Sequence, residues 1–398
     1  MHIGINAQLL SNSENYRNGG VSRYIRYLVT ELAQQPGKHT YTIFVNGQEI
    51  IQQLPSNPQI TYVSAPWPEA KPAVRVAWEQ LTLPSLIRQR QIAVLHSPVN
   101  VKPEFLPRSC ASVVTLHDLA FLRFPNVLTR AKRMYHQTFT MRSLRHASML
   151  IAVSESTKQD AHQLIGIPNE RIQTIYPCID ERFTNQRDEE QIHTFRQRNG
   201  LEEGFFLYLG TLEPRKNLPA LIDTYALLRQ KQAIRQKLVL AGGKGWLYDT
   251  IFTKVQQMDL GAEVIFPGFV SDKDQILWYQ AANVFVYPSL YEGFGIPIAE
   301  ALVCGTPVVT SNVSSLPEAG TDLALCVDPS DTNSLADAMY QALTDQTLQE
   351  KCQTLAPAVA QKYSACTMVK HTIEAYEQAA VLQMARGHLN HRVLSNEQ

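Results

Sequence analysis

The chain has 398 residues, of which 44% are hydrophobic and 18% charged, and its formal net charge is zero. A balanced charge argues against a dedicated nucleic-acid-binding protein, because such proteins are usually basic overall. The length exceeds what a single hydrophobic core normally holds, so we expect two or three domains. No window approaches the roughly 18 apolar residues that a membrane span needs, and the first residues, MHIGINAQLL, lack the pattern of a secretory signal.

The cysteines indicate a reducing compartment. None forms a CxxC pair, and none lies near a histidine at metal-ligand spacing, so we interpret them as small buried apolar residues. They are Cys110, Cys178, Cys304, Cys326, Cys352 and Cys366. We therefore expect a cytoplasmic protein.

The first half of the chain alternates short β-rich segments with helical periods. Val21 to Gln34 follows a Gly-Gly pair, and its apolar residues recur at helical spacing. The predicted strands, each apolar and ending in polar residues, are HIGIN, YTIFV, IAVLHS, SVVTLHD and LIAVS. This rhythm is typical of a parallel sheet with helices on both faces.

Two residue pairs follow predicted strands in this half, where ligands of such sheets bind. Gly19 and Gly20 precede a helix start, and their bare backbone could approach a ligand, although a tight turn would need the same residues. His117 and Asp118 follow SVVTL. We expect the histidine either to donate a hydrogen bond to a substrate hydroxyl or to be satisfied by local backbone.

Charge is distributed unevenly along the chain. Residues 1–185 hold 19 Lys and Arg and 12 Asp and Glu, a net charge of +7, so the remainder carries −7. The run from Leu119 to Ser154 contains no acid and six basic residues, namely Arg123, Arg130, Lys132, Arg133, Arg142 and Arg145. A solvated helix face would explain this run, and so would attraction to an anionic partner, either a phosphate-bearing acceptor or the inner face of an acidic membrane.

The strand rhythm restarts in the second half. The predicted strands are FFLYLG, KLVLAGG, VIFPGF, NVFVYPS, TPVVTS and ALCVD. The stretch from Asp180 to Gly204 is rich in charge and amide and has no strand pattern, so we place a domain boundary there. We predict an α/β protein of two doubly wound domains, residues 1–185 and 186–366, facing a cleft. A last helical segment, Thr367 to Arg386, keeps an apolar stripe.

The loop after FFLYLG reads TLEPRKNL and places two cations, Arg215 and Lys216, directly before a predicted helix. Cations are disfavoured at a helix N-terminus, so two adjacent ones indicate a site for an anion such as a diphosphate. A charged loop paired with nearby acids is the alternative.

The segment YEGFGIPIAE, residues 291–300, sets Glu292 and Glu300 on either side of a Gly-Phe-Gly turn. Pro297 suits the first turn of a helix, and the preceding glycines would present N–H groups to ligand oxygens. A carboxylate accepts hydrogen bonds from vicinal hydroxyls. One acid could therefore bind a hexose and the other a ribose, with a diphosphate between them. Acids that cap or pair within the fold are the alternative.

A possible metal motif, Asp272-Lys273-Asp274, comes after a predicted strand and before a helix. Helix capping and interaction with the helix dipole explain these acids, so we predict no metal site there.

Together these stretches resemble the retaining GT-B glycosyltransferases of glycosyltransferase family 4. Glu292 and Glu300 match that family's paired-glutamate signature. The resemblance extends through GTLEPRKN, FPGFVSDKD, YPSLYEGFGIPIAEAL and GTPVVTSNVSSLPEAG, and more loosely through the Gly-Gly and His-Asp pairs of the first half. It implies two Rossmann-like domains, with the last helix, within 367–398, crossing back to the first.

The resemblance also implies roles for individual residues. Arg215 and Lys216 would take the diphosphate, Glu300 would hold the ribose, and Glu292 would orient the donor sugar. His117 would contact that sugar from the first domain. The other residues that it assigns to substrate binding are Gly19, Gly20, Asp118, Phe269, Val270, Gly293, Phe294, Gly295 and Ile296. Thr211 stands where some members carry an arginine, so the diphosphate would rely on Arg215 and Lys216.

The resemblance thus implies a retaining hexosyltransferase that uses a nucleotide-sugar donor and needs no metal or other cofactor. We rank UDP-glucose or another UDP-hexose first as donor and GDP-mannose next. The basic run favours an anionic acceptor, such as a polyprenyl-diphosphate-linked glycan of a bacterial polysaccharide pathway. A nucleotide-sugar epimerase, a non-catalytic nucleotide-sugar-binding protein and a glycosidase remain alternatives, the last with no use for Arg215 and Lys216.

Overall fold

The structure, a computed structural model, describes residues 1–11, 20–35, 37–65, 72–124, 130–243, 245 and 248–395, with the backbone alone for 72, 130–132 and 386–395. It contains two compact units. The first is Met1–Cys178 together with Ala365–Gln398, and the second is Ile179–Ser364. The first segment of the first unit thus ends at Cys178, a few residues before residue 185, where the sequence analysis placed the domain boundary.

The first unit is built on a parallel sheet of seven strands in the order β3-β2-β1-β4-β5-β6-β7. The strands are β1 (His2–Ala7), β2 (Thr40–Asn46), β3 (Ile60–Ala65), β4 (Val94–Ser97), β5 (Ala111–Leu116), β6 (Met149–Ala152) and β7 (Ile172–Thr174). The central strands β4, β5 and β6 are buried at every residue, as expected of a sheet that is covered on both faces.

Helices cover both faces of this sheet. They are α1 (Gly20–Gln34), α2 (Gln48–Ile51), α3 (Pro72–Leu81), α4 (Leu83–Gln89), α5 (Ala120–Arg123), α6 (Arg130–Tyr135), α7 (Met141–His146), α8 (Glu155–Ile165) and α17 (Ala365–Ser395), with a π-helical turn at His136–Thr140. One apolar cluster joins α1 and α17 to the face that carries Ile3 and Ile5. A second joins α3 and α4 to the opposite face through Phe44 and Leu95.

The second unit has a parallel sheet of six strands in the order β10-β9-β8-β11-β12-β13. The strands are β8 (Phe205–Leu209), β9 (Lys237–Ala241), β10 (Val264–Gly268), β11 (Val284–Tyr287), β12 (Val308–Ser311) and β13 (Leu325–Val327). The helices are α9 (Glu189–Arg198), α10 (Leu218–Lys231), α11 (Asp249–Gln257), α12 (Gln275–Ala281), α13 (Ile296–Val303), α14 (Leu316–Gly320), α15 (Thr332–Thr344) and α16 (Gln346–Lys362).

The strand order reverses at one point in each sheet. In the first sheet the reversal lies between β1 and β4, and in the second it lies between β8 and β11. The helices that follow two such strands lie on opposite faces of the sheet, and the crevice at that point is where open α/β sheets bind ligands. The predicted α/β class with two doubly wound sheets is confirmed. None of the described helices is long and apolar enough to cross a membrane.

Candidate active site

The loops after β8 and β11 meet at the reversal point of the second sheet. The first loop forms a short 3-10 turn, Pro214–Lys216, and the second leads to the start of α13. The amide of Leu290 in the second loop donates a hydrogen bond of 2.9 Å to the carbonyl of Arg215 in the first. This bond fixes the two loops against each other, so the side chains they carry share one site.

Glu292 is the centre of this site. Its Oε1 accepts a hydrogen bond from the ammonium of Lys216, and its Oε2 lies 2.9 Å from a guanidinium nitrogen of Arg215. Only 8% of Glu292 and 6% of Lys216 are exposed. A buried carboxylate therefore binds both predicted cations, one through each oxygen.

Tyr287, the last residue of β11, completes the group. Its hydroxyl accepts a 2.7 Å hydrogen bond from Lys216 and donates one of 3.3 Å to Oε1 of Glu292. The Lys216 ammonium also lies 5.0 Å from the centre of the Tyr287 ring, which stacks on Tyr208. The Tyr287 hydroxyl therefore bridges the ammonium and the carboxylate and helps to fix their positions.

The protonation state of the site follows from these contacts. Burial raises the pKa of Glu292, but the charges of Lys216 and Arg215 more than offset it, and the pKa lies below its ordinary value. Burial, and next the negative charge of Glu292, raise the pKa of Tyr287 well above its ordinary value. At neutral pH the site thus holds a carboxylate and a neutral phenol.

Arg215 has a second acidic partner. Its guanidinium lies 3.0 Å from Glu213, which precedes it in the same loop. Two carboxylates thus balance the two cations. The pairing with nearby acids that the sequence analysis kept as an alternative is present, and the presence of adjacent cations does not by itself require an exogenous anion here.

The Gly-Phe-Gly turn forms the N-terminus of α13. Gly295 caps the helix with φ 104° and ψ 48°, a backbone conformation that residues other than glycine rarely adopt. The Phe294 ring is buried and contacts Tyr363 edge-on at 5.3 Å, so this residue can face a ligand only through its backbone. That placement suits the predicted role of the amides of Gly293, Phe294, Gly295 and Ile296.

Glu300, the second acid of the predicted pair, lies within α13 and is 5% exposed. Its Oε2 accepts a 2.7 Å hydrogen bond from the hydroxyl of Tyr279 on α12. Glu292 and Glu300 therefore differ in their surroundings, since the first binds two cations and the second a neutral hydroxyl.

Phe269 and Val270, predicted to flank a base, follow β10. The Phe269 ring is 64% exposed, whereas Val270 is buried. An exposed aromatic ring beside a strand end is a surface on which a planar ligand can stack.

In the first unit, His117 follows β5 as predicted and is half-buried. Its Nε2 lies 3.0 Å from the carbonyl of Pro98, which can only accept, so Nε2 carries the proton. Burial lowers the pKa of the ring, which is therefore neutral at pH 7. The expectation that His117 satisfies local backbone is met at this nitrogen, and Nδ1 is left as a hydrogen-bond acceptor, not the donor that the sequence analysis envisaged.

The neighbouring predicted residues have local roles. Asp118 Oδ1 accepts a 3.0 Å hydrogen bond from the amide of Ala120, at the start of α5. Gly20 is the first residue of α1, and a Cβ built on it would meet none of the described atoms within 4 Å. Gly19 lies outside the described residues.

Comparison with known proteins identifies the family. Residues 190–359 match the family of glycosyl transferases group 1, and residues 18–183 match Glycosyltransferase Family 4. The O-antigen chain mannosyltransferase B of Escherichia coli is 32% identical over 291 residues, which are 73% of this chain and 76% of that protein.

The chain belongs to the group 1 glycosyltransferases.

Solved structures agree on the fold of this glycosyltransferase. WaaG, a glycosyltransferase involved in lipopolysaccharide biosynthesis, superposes with a TM-score of 0.70 at 16% identity, covering 94% of this chain and 99% of that one. Anabaena HepE, solved in complex with UDP-glucose, superposes with a TM-score of 0.68 at 17% identity, covering 94% and 98%. At such identities the likeness establishes the GT-B fold alone.

Three residues of this glycosyltransferase that shape the site were missed from sequence. Tyr287 ends a strand whose position could have drawn attention to it. Ser314 Oγ accepts a 3.1 Å hydrogen bond from the Glu292 amide, and Ser315 Oγ donates to the carbonyls of Glu292 and Phe294, at 2.9 Å each. Both serines follow β12, and nothing local in SNVSSLPE shows that they hold the loop that carries Glu292.

The Asp272-Lys273-Asp274 motif takes part in local contacts. Asp274 Oδ2 accepts a 2.6 Å hydrogen bond from Ser271, and the carbonyl of Asp272 accepts one of 2.6 Å from Arg182. Over the ranges that the structure describes, no group of three or more His, Cys, Asp or Glu side chains is arranged to hold a metal ion.

The basic run of the first unit is partly neutralised by acids from outside it. Arg123 pairs with Asp160 and Arg142 with Glu104, each at 2.5 Å. The side chains of Arg130 and Lys132 are not among those described. Attraction of this run to an anionic partner stays a prediction.

Proposed function

We propose that this glycosyltransferase is a retaining mannosyltransferase that moves a mannosyl group from GDP-mannose to a glycan or lipid-linked acceptor in polysaccharide biosynthesis, without a metal ion. The observation that carries the proposal is the convergence of Lys216 and Arg215 on Glu292 at the reversal point of the second sheet, beside the N-terminus of α13. Lys216 and Arg215 supply charged N–H donors for a phosphate, and Glu292 supplies oxygens that can accept hydrogen bonds from sugar hydroxyls.

The donor sugar is inferred from the relative. The Escherichia coli protein is named as an O-antigen chain mannosyltransferase, and it is 32% identical over most of both chains. The sequence analysis ranked UDP-glucose above GDP-mannose; because this relative is named a mannosyltransferase, we now propose GDP-mannose first. UDP-glucose remains the second candidate because HepE, which shares the fold, was solved with it.

Departure of the nucleoside diphosphate is the step that the cations would assist. The Lys216 ammonium has three N–H donors, of which the structure commits two, to Tyr287 and Glu292. The third can donate to a phosphate oxygen, and the N-terminal amides of α13 add partial positive charge. Fixed charges of this kind stabilise the leaving group as the glycosidic bond breaks. A bound metal ion stabilises the leaving group in other transferases.

Glu292 is a poor candidate for a covalent nucleophile. Both of its oxygens accept charge-assisted hydrogen bonds, and its pKa is lowered, so its lone pairs are weakly basic. We assign it to orienting sugar hydroxyls. Retention then proceeds on the face that the diphosphate leaves: the C1–O bond to phosphate breaks, the acceptor oxygen bonds to C1, and the acceptor proton passes to the departing phosphate.

Other donor contacts follow from the positions described. Glu300 would hold the ribose hydroxyls, and Phe269 would flank the base with Val270. His117 would accept a hydrogen bond from a donor-sugar hydroxyl at Nδ1, since Nε2 donates to Pro98. The acid-free basic run favours a polyprenyl-diphosphate-linked acceptor and peripheral contact with an anionic membrane.

A thermal-shift panel of GDP-mannose, UDP-glucose and ADP-glucose tests the donor. A ligand at about 100 times its dissociation constant stabilises the protein by about 2.7 kcal/mol. We expect GDP-mannose to raise the melting temperature most, with EDTA making no difference. Transfer of radiolabelled mannose to mannose-terminated acceptors, with the linkage anomer read by NMR, tests the reaction. Shifts with UDP-glucose alone would transfer the proposal to the second donor.

A further inference from the structure

The guanidinium of Arg215 has acidic partners on two sides. Its Nη1 donates hydrogen bonds of 2.8 Å to the carbonyl of Tyr291 and 2.9 Å to Oε2 of Glu292. Its Nε and Nη2 lie 3.3 Å and 3.0 Å from a single oxygen, Oε1 of Glu213. Two parallel N–H groups of a guanidinium match two oxygens of a phosphate. A carboxylate of this chain therefore covers the edge of Arg215 through which a phosphate would bind.

The Glu213 side chain is not what holds the loop in place. The 3-10 turn is closed by backbone hydrogen bonds of 3.0 Å, from the Lys216 amide to the carbonyl of Glu213 and from the Asn217 amide to that of Pro214. Glu213 precedes the turn, but its side chain makes no capping hydrogen bond. Across the described residues, its carboxylate forms hydrogen bonds with Arg215 alone. The carboxylate can therefore move away while the turn keeps its backbone structure.

The two acids of the site are held with different strength. Glu292 binds Lys216 and Tyr287 as well as Arg215, and the Glu292 and Lys216 side chains are 10% and 8% exposed. The Glu213 and Arg215 side chains are 17% and 24% exposed, so water reaches this pair more easily. An ion pair that water reaches contributes less than a buried one, which is costly to break. Of the two acids, Glu213 is thus the one that an incoming anion can displace.

Charge balance gives this displacement a role. Lys216 and Arg215 carry two positive charges, and Glu292 and Glu213 carry two negative ones, so the four groups together have no net charge. A neutral group attracts an anion only weakly. Once Glu213 leaves Arg215, the remaining three groups carry one net positive charge, and the Nε and Nη2 edge is open to a phosphate.

We propose that Glu213 competes with the diphosphate of the nucleotide for Arg215; this rests on the proposed transfer from a nucleotide-sugar. The carboxylate covers the guanidinium edge when the site holds no nucleotide, and it yields that edge to phosphate oxygens when the donor binds. Breaking the bond to the sugar leaves a terminal phosphate with additional negative charge, so the product binds the cations more tightly than the donor does. The return of Glu213 to Arg215 then favours release of the product.

Titration calorimetry with the full chain tests the competition. The probes are GDP, UDP and inorganic pyrophosphate, and the variant is Glu213→Gln, which removes the charge and keeps the shape of the side chain. Glu263→Gln is the matched control, because Glu263 also pairs with an arginine, Arg229, at 3.4 Å. It directly precedes β10, at the amino end of the sheet, whereas the proposed site lies after the carboxyl ends of strands.

We expect Glu213→Gln to bind GDP about tenfold more tightly than the wild type, and Glu263→Gln to bind it equally. The inhibition constant of GDP as a product should fall by the same factor. Unchanged or weaker binding by Glu213→Gln would overturn the proposal, because the carboxylate would then support Arg215 and not compete for it. The melting temperature verifies that the variant is folded.

A second pair of variants tests whether Glu213 acts through Arg215. In the Arg215→Met background, adding Glu213→Gln should leave GDP affinity unchanged, since the contact that the carboxylate blocks is already lost. A tenfold gain that persists in this background would show a general effect of charge and would overturn the competition.

The result is separable from the proposed reaction, because the probes carry no sugar. A protein that shows the expected tightening but transfers no mannose keeps the competition and loses the reaction. Transfer of mannose with equal GDP affinity in the wild type and Glu213→Gln removes the competition alone. Failure of GDP, UDP and pyrophosphate to bind the wild type and Glu213→Gln would remove the diphosphate site and the competition together.

Discussion

Arg215 and Glu292 lie 2.9 Å apart as an ion pair, although 77 positions separate them in the sequence. Each stands in a loop that leaves a central strand of the second sheet, one after β8 and the other after β11. The pair exists because β8 and β11 are neighbours in the sheet, which brings the loops that follow them together. The geometry of the second sheet thus creates the charged site, and the following predictions test it.

Removal of Lys216 should abolish most transfer. Lys216→Ala deletes an ammonium that we assign to the leaving phosphate, and we expect transfer to fall by about 10²-fold or more, as for loss of a preorganised electrostatic group. Glu292→Ala should have an effect of similar size. Initial rates with labelled donor measure both, and circular dichroism verifies the fold.

Lys231→Ala is the matched control, since Lys231 lies on the neighbouring helix α10 and bonds Asn333 at the surface. It should transfer at the wild-type rate. Near-normal rates in both Lys216→Ala and Glu292→Ala would remove these residues from the mechanism.

Lys216 and Glu292 should also be coupled in their contributions to the free energy of unfolding. Lys216 and Glu292 are both buried, so removing one leaves the other without its main partner. A double-mutant cycle with Lys216→Met and Glu292→Gln should give a coupling energy of about 1 to 3 kcal/mol in urea unfolding. The half-buried and more accessible pair Lys254 and Asp223, at 2.7 Å, is the comparison cycle, for which we expect about 0.5 kcal/mol or less. Equal coupling in the two cycles would contradict the buried pairing.

His96 should make the stability of the first unit depend on pH. It is fully buried between Tyr376 and Thr115, at 2.7 Å and 2.8 Å, and burial lowers its pKa to about 3. As the pH falls below about 6.5, the unfolded chain binds a proton there and the folded chain does not, so stability decreases until about pH 3.

His96→Leu removes this difference. The wild type should lose up to about 1.4 kcal/mol per pH unit more than the variant below pH 6. Urea unfolding at pH 7, 6 and 5 measures the slopes, independently of the overall stability lost with the two hydrogen bonds. Parallel slopes would show that the ring titrates normally in the folded protein.

Gly295 should tolerate no side chain. Its φ is 104°, and a Cβ would lie 3.2 Å from both Ile298 and Leu316. Gly295→Ala should cost about 1 to 3 kcal/mol and raise the Michaelis constant for the donor, because the turn that presents the α13 amides must shift. Gly261→Ala is the control: its φ is not positive, and no atom lies within 4 Å of a Cβ there. Equal stability of the two variants would show that the turn is not strained.

The sequence was informative wherever a local pattern determines structure. Alternating apolar strands and helices predicted two parallel sheets, and the same pattern placed Lys216, Glu292 and His117 after the carboxyl ends of strands, as observed. The last helix was also predicted, although it begins at Ala365 and runs to Ser395, longer than the apolar stripe indicated.

What the sequence left out depends on contacts between distant segments. That Glu292 binds both cations requires the β8–β11 adjacency, which a linear reading does not supply. Ser314 and Ser315 act through a loop from a third strand. The protonated nitrogen of His117 depends on the carbonyl of Pro98, which follows the neighbouring strand β4.

The helix α17 has a consequence for biosynthesis. Its residues Met368, Val369 and Tyr376 complete the apolar cluster on one face of the first sheet, yet they are translated after the whole of the second unit. While the ribosome makes residues 179–364, the part of that face over β4, β5 and β6 lacks the cover that α17 later gives it. The nascent chain must therefore expose part of its hydrophobic surface for nearly half of its synthesis. In this interval we expect chaperones to bind that surface and prevent aggregation.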